Sequence, residues 1–159
     1  MTESVNSREL VLAILLAVTK DGIYSHVAIS DVLTKYQYLE KQERSFITRI
    51  SEGTLERMLE LDYIINQFSS VKVNKMKPVI RCIIRSAVYE MKYMDSVPVS
   101  ASCNEAVKLA KKKGFGKLSG FVNGVLRNIG RNLDKIIYPD KEKSYKQYLS
   151  VTCSIPEWM

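Results

Sequence analysis

Apolar residues recur three and four positions apart along most of this chain, the spacing of helices that bury one face. Asn6 or Ser7 is placed to cap a first helix running to about Thr19, where Asp21-Gly22 breaks the pattern. Ser25 can cap a second, with Ile29, Val32, Leu33 and Tyr36 on one side. A longer segment starts near Lys41. Its stripe of Phe46, Ile47, Ile50, Thr54 and Met58 continues through Leu61, Ile64, Ile65 and Phe68, beyond an expected kink near Glu60. Residues 69–77 form a polar connector, and Pro78 opens the next helix, since a first-turn proline gives up no helical hydrogen bond. That helix carries Ile80, Ile83, Ile84, Ala87 and Met91. After a restart at Asp95 or Ser96 with Pro98 comes the stripe Val99, Cys103, Ala106, Val107 and Ala110. The last helix begins near Lys117 and sets Leu118, Phe121, Val122, Val125, Leu126, Ile129 and Leu133 on one face. No strand-period run of useful length interrupts this. The expected fold is all-α, a bundle of six or seven helices.

Composition agrees. Hydrophobic residues make up 46% of the 159, enough for a true core, and seven glycines and four prolines are few for a turn-rich architecture. The longest apolar run, LVLAILLAV at 10–18, is far short of the ~20 residues that span a membrane. Glu3 stands ahead of it, where a signal peptide would carry basic residues. The expectation is a soluble, cytoplasmic, monomeric protein with no membrane partner. Cys82, Cys103 and Cys153 form no C-x-x-C pair, and the only histidine, His26, lies far from them in sequence. That argues against a zinc site or a disulfide framework. Cys82 and Cys103 are expected to be inert core thiols.

Charge changes the picture more. Residues 1–70 carry seven Lys/Arg against ten Asp/Glu, while residues 71–159 carry seventeen against seven. Such asymmetry suggests a surface that faces a polyanion. The densest part is KKKGFGKLSGF at 111–121. It is no dinucleotide loop, because a lysine-rich helix rather than a strand precedes it and the third glycine comes one residue late. Nor is it a Walker A loop, because Leu118 follows Gly116-Lys117. Gly114 reads as a left-handed residue ending a helix, with Lys111 to Lys113 at the negative end of the helix dipole. Gly120 and Gly124 share a face and are expected to let another backbone approach closely, that of a packed helix ahead of that of a ligand. Lys108, Lys111 and Lys112 lie opposite the apolar stripe, Lys113 and Lys117 flank the hinge, and Arg127 and Arg131 share the polar face of the last helix. Such a face can neutralise phosphates. No catalytic constellation stands out: the carboxylates of 40–62 interleave with Lys41, Arg44, Arg49 and Arg57 as helix-face ion pairs would, and Asn104-Glu105 reads as a buried polar or capping pair.

PVIRCIIRSAVYEMKYMDSVPVSASCNEAVKLAKK (78–112), the hinge, and FVNGVLRNI (121–129) together resemble the NusB-like helical domain. Two contexts use it: the stand-alone NusB antitermination factors, which bind a short RNA element with a ribosomal protein, and the N-terminal domain of the ribosomal RNA cytosine-C5 methyltransferases of the RsmB (Sun, Fmu) family. SRELVLAILLAVTKDGIYSHVAI is similar to the second. RSFITRISEGTLERMLELDYIINQF also resembles that family's DR-x-F-x-x-x-L-x-x-G-x-L helix through Arg44, Phe46, Gly53 and Leu55, with Glu43 and Ile50 as departures. NusB factors carry an arginine cluster at the start of the first helix; this chain has only Arg8 there.

The methyltransferase resemblance implies an RNA-binding domain over 1–133 and a linker over 134–159, leading to a methyltransferase domain of the same chain that is absent here. The parent would be an S-adenosylmethionine-dependent 16S ribosomal RNA methyltransferase, and this stretch would hold no cofactor and no catalytic residue. The alternative is the stand-alone antitermination factor. In both, the expected partner is RNA, ribosomal RNA in the first. The resemblance puts its binding on Arg8 and Lys117, with Lys112, Lys113, Arg127 and Arg131 as neighbours by spacing. Tyr148, Ile155 and Trp158 are expected to dock on the missing domain, and Thr152-Cys153 is read as non-catalytic.

Overall fold

The computed structural model describes residues 6–138. Tyr148, Thr152, Cys153, Ile155 and Trp158 lie outside them. Within that span seven helices form and no strand. They are α1 (Ser7–Thr19), α2 (Ser25–Lys35), α3 (Lys41–Glu56), α4 (Met58–Phe68), α5 (Pro78–Tyr93), α6 (Val99–Lys112) and α7 (Ser119–Arg131), with 3-10 turns at Val73–Lys75, Gly116–Leu118 and Leu133–Lys135. No helix among the described residues is long and apolar enough to cross a membrane.

α5 is the axis of the bundle, packed by α1, α3, α4, α6 and α7. Ile80, Cys82, Ile83, Ile84, Ala87, Val88 and Met91 are all buried, so this helix is covered on nearly every side. Its two buried charges are partnered. Arg85 makes two 2.7 Å hydrogen bonds to Asp62 of α4, and Glu90 accepts from Arg8 of α1. Gly53 marks the α3–α5 crossing: a Cβ there would come within 2.1 Å of the Tyr89 ring, so only glycine lets the helices approach this closely.

Local signals act where they were expected. The Asn6 side chain caps α1, accepting from the Arg8 and Glu9 amides at 2.8 and 3.4 Å. Pro78 occupies the first turn of α5. Gly114 has φ 86°, and the Phe115 and Gly114 amides return to the Ala110 and Lys111 carbonyls, closing α6 in a Schellman motif.

Other details differ. The break expected near Glu60 falls at Arg57, and Glu60 turns into the protein. The charges of 40–62 mostly bond outside that segment. Glu60 pairs with Lys92 and Asp62 with Arg85, while Arg44 donates to the Leu33 and Tyr36 carbonyls and Arg49 to Tyr93 O. The Ser25 side chain caps nothing, because α2 begins after Tyr24 and Ser25 is already helical. Gly120 and Gly124 are exposed, with open space where a Cβ would be.

Two anchors hold the chain after α7. The Gln67 side-chain amide donates to Ile137 O at 2.9 Å and accepts from Ile137 N at 3.1 Å. The Tyr138 hydroxyl donates to Glu60 at 3.1 Å under the Lys92 ammonium, 4.5 Å from the ring centre. Glu60 also accepts from Lys92 at 3.0 Å and from the Tyr93 hydroxyl. Burial, reinforced by that hydrogen bond, holds the Tyr93 hydroxyl above the usual phenol range.

Candidate nucleic-acid interface

The first turn of α1 meets the last turn of α6. Glu9 joins them, with one carboxylate oxygen 2.6 Å from Lys112 Nζ and the other 2.9 Å from Lys113 Nζ. Those two hydrogen bonds hold the Glu9 carboxyl below its ordinary value, against a smaller opposing effect of burial. The lysines remain exposed, so the pairs are of the weak surface kind. Lys117 follows on the 3-10 turn after the hinge and is exposed. Lys112 and Lys113 are thus held side by side on an exposed surface, with Lys117 exposed on the turn that follows the hinge.

Arg8 is positioned differently. Its guanidinium makes three hydrogen bonds of 2.6–3.2 Å to Glu90 and lies over the Phe46 ring, 5.2 Å from its centre. The Glu90 side chain is only 3% exposed and also accepts from Ser102 at 3.3 Å. Arg8 therefore braces α1 against α5 and α3 while keeping about a fifth of its surface in solvent.

Arg127 joins α7 to α6, donating to Asn123 at 3.2 Å and to Asn104 at 3.0 Å. Both partners are neutral, so its charge is not cancelled. Asn104 is exposed rather than buried, a correction to the reading of Asn104-Glu105 as an inward pair. Arg131 is exposed at the end of α7. Cys82 and Cys103 are buried, and burial raises both thiols.

Two concavities flank this region. One, of about 460 Å³, is lined by Asn6, Ser7, Arg8, Gln42, Glu43, Phe46 and Glu105, from α1, α3 and α6. The other, about 300 Å³, is an apolar groove of Val71, Met76, Ile80, Leu118 and Phe121 with Lys75 and Lys77 in its wall. Neither was visible in the sequence, because each is assembled from residues far apart along the chain.

The sequence profile of the NusB family matches residues 5–131. This chain belongs to the NusB family. Transcription antitermination protein NusB of Bacillus subtilis is 35% identical over 130 residues, covering 81% of this chain and 95% of that protein. Probable ribosomal RNA small subunit methyltransferase B of the same organism is 33% identical over 156 residues, 96% of this chain but only 33% of the methyltransferase. The chain thus spans about a third of the length of the first curated relatives it matches. In a crystal structure of the antitermination factors NusB and NusE in complex with dsRNA, one chain superposes with a TM-score of 0.72 at 22% identity, covering 79% of this chain and 93% of that one. That likeness establishes the NusB fold.

These relations correct one expectation. The SRELVLAILLAVTKDGIYSHVAI stretch and the α3 motif pointed to a parent enzyme, a ribosomal RNA methyltransferase, with its catalytic domain as an intramolecular partner. The NusB proteins of Bacillus subtilis and Bacillus pumilus instead match along 95% and 94% of their own length. The NusB fold is thus accounted for without a methyltransferase domain.

Proposed function

We propose that this protein is an RNA-binding factor of the NusB antitermination type, holding RNA through phosphates on the ridge where α1, α6 and the 3-10 turn before α7 converge. One observation carries this reading: Lys112 and Lys113 share a single carboxylate at the surface, and Lys117 is exposed on the turn just past the hinge. A surface ion pair of this sort contributes ~0–1 kcal/mol. A phosphate can therefore replace Glu9 as the lysines' partner at small cost, with counterion release as the gain. Arg127, bonded to two asparagines among the described residues, adds a charge at the edge. A NusE-type protein is the second partner that the family likeness supports.

The test is a salt series of RNA binding. Reversing Lys113, Lys117 and Arg127 to glutamate should weaken binding strongly. It should also reduce the log–log salt slope by roughly 2 to 3, at ~0.7–0.9 per lost phosphate contact. Reversing Lys20, Lys35 and Lys41, which lie in the acidic half, should change the slope far less. Equal losses from both sets would show diffuse attraction and defeat the proposal.

A further inference from the structure

The cleft between α1, α3 and α6 adjoins the basic ridge, yet its lining is wrong for phosphate: besides Arg8 it offers Glu43, Glu105, Gln42, Asn6, Ser7 and the Phe46 ring. We propose that this cleft takes one unstacked guanine base of the bound RNA, stacked on the outer face of the Arg8 guanidinium that the Phe46 ring backs, and read by the Glu105 carboxylate. This rests on the RNA-binding reading above and adds to it a base preference.

The first argument is size and platform. About 460 Å³ lies within the range of small-ligand sites and accommodates a purine. Single-stranded RNA is read by stacking splayed bases on aromatic rings or guanidinium planes. Here both lie together. The guanidinium is held over the ring by a nearly buried carboxylate, so it is ordered before any ligand arrives. A stacking surface fixed in advance loses little side-chain freedom on binding.

The second argument is hydrogen-bond chemistry. An ionised carboxylate is acceptor-only, with two oxygens that suit a pair of adjacent donors. Among the four RNA bases only guanine places two donors, N1–H and the 2-amino group, side by side on its Watson–Crick edge. The other three put an acceptor next to each donor. Glu105 has its oxygens available: its ion-pair partner, Lys108, is 3.6 Å away and exposed. Glu43 is less free, since it accepts from the Glu40 amide at 3.3 Å. Guanine O6 needs a donor, and Asn6 retains one, because only its carbonyl oxygen is used in capping α1.

The third argument is charge. Glu105 and Lys112 are seven residues apart on α6, roughly 10 Å along the axis, so a strand can seat one base at Glu105 and carry its backbone over Lys112 and Lys113. A basic side chain from a protein partner would find the same carboxylates. It would have to enter among Arg8, Lys108 and Lys112, with the Phe46 face already covered by Arg8.

The experiment uses fluorescence anisotropy with twelve-nucleotide oligouridines that carry one central guanine, inosine, or adenine. The parent should bind the guanine RNA about tenfold more tightly than the adenine RNA, the discrimination typical of one bidentate base contact. Inosine, lacking the 2-amino group, should fall between. Glu105→Gln, a surface change on α6, should bind the adenine RNA as the parent does and lose the preference. A parent indifferent to the central base, or a Glu105→Gln variant that keeps the preference, would overturn the subsite while leaving phosphate binding intact. Binding of an arginine-rich peptide by the parent but not by Glu105→Gln, without any guanine preference, would overturn it in favour of a protein partner. If no RNA binds at all, the reading beneath it fails too.

Discussion

Glu9 and Glu60 each gather several partners, and they do so to opposite ends. Glu9 lies at the surface with two exposed lysines. Glu60 is 5% exposed and holds Lys92, the Tyr93 hydroxyl and the Tyr138 hydroxyl. In water the Glu9 bonds can be traded for others at little cost. The Glu60 carboxylate is itself nearly shut off from solvent, so a bond it loses is more expensive to leave unmade. One cluster is thus suited to exchange partners with a ligand, and the other to fix three segments of chain.

The sharpest way to break that comparison is to remove each carboxylate. Glu60→Ala should destabilise the protein by about 2 kcal/mol, the cost of leaving a half-buried cation and two half-buried hydroxyls without their acceptor, measured by urea denaturation. Glu9→Ala should stay below about 1 kcal/mol. A similar loss from both would erase the distinction. A smaller but still sizeable effect is expected from Gly53→Ala, in which the new methyl meets the Tyr89 ring. Overpacking of this kind costs ~1–3 kcal/mol, and pairing it with Tyr89→Phe should recover part of that, since the hydroxyl is among the atoms in the way.

The smallest effect is a pH dependence. The folded-state pKa of Glu9 is depressed below the ordinary 4.5. Its contribution is therefore complete above about that value and disappears as pH falls through the lower folded one. The stability difference between the protein and Glu9→Gln should shrink toward zero as acid is added, and should shrink at neutral pH with added salt.

How much of this was legible depended on distance along the chain. Asn6, Pro78 and Gly114 act on their own helices, and the stripes of α5, α6 and α7 repeat within a few residues, so local chemistry sufficed. The bond from Arg8 to Glu90 joins positions 82 apart, and nothing in either neighbourhood specifies the crossing that brings them together. The exposed lysines of the proposed ridge were readable because Lys112, Lys113 and Lys117 are close in sequence. The cleft was not, because Phe46, Arg8 and Glu105 come from three helices. The boundary at Arg57 was misplaced for a related reason: Glu60 looks like a surface residue until Lys92 and Tyr138 are known to surround it. Gly120 and Gly124 carried the right spacing for a close contact, but the α7 face that bears them has no neighbour among the described residues at those positions.

A glutamine side chain ends in a peptide group that belongs to no backbone. Gln67 uses it to form both bonds of a single ladder rung with Ile137, and Tyr138 is tied to Glu60 on the same helix. Mechanical load arriving from the C-terminal side would meet α4 before it met α7. Pulling there should first peel this short clasp, bond by bond and at low force, before the load shears the buried faces of the bundle. In a single-molecule pulling record, Gln67→Ala should remove an early small yield and leave the main rupture unchanged.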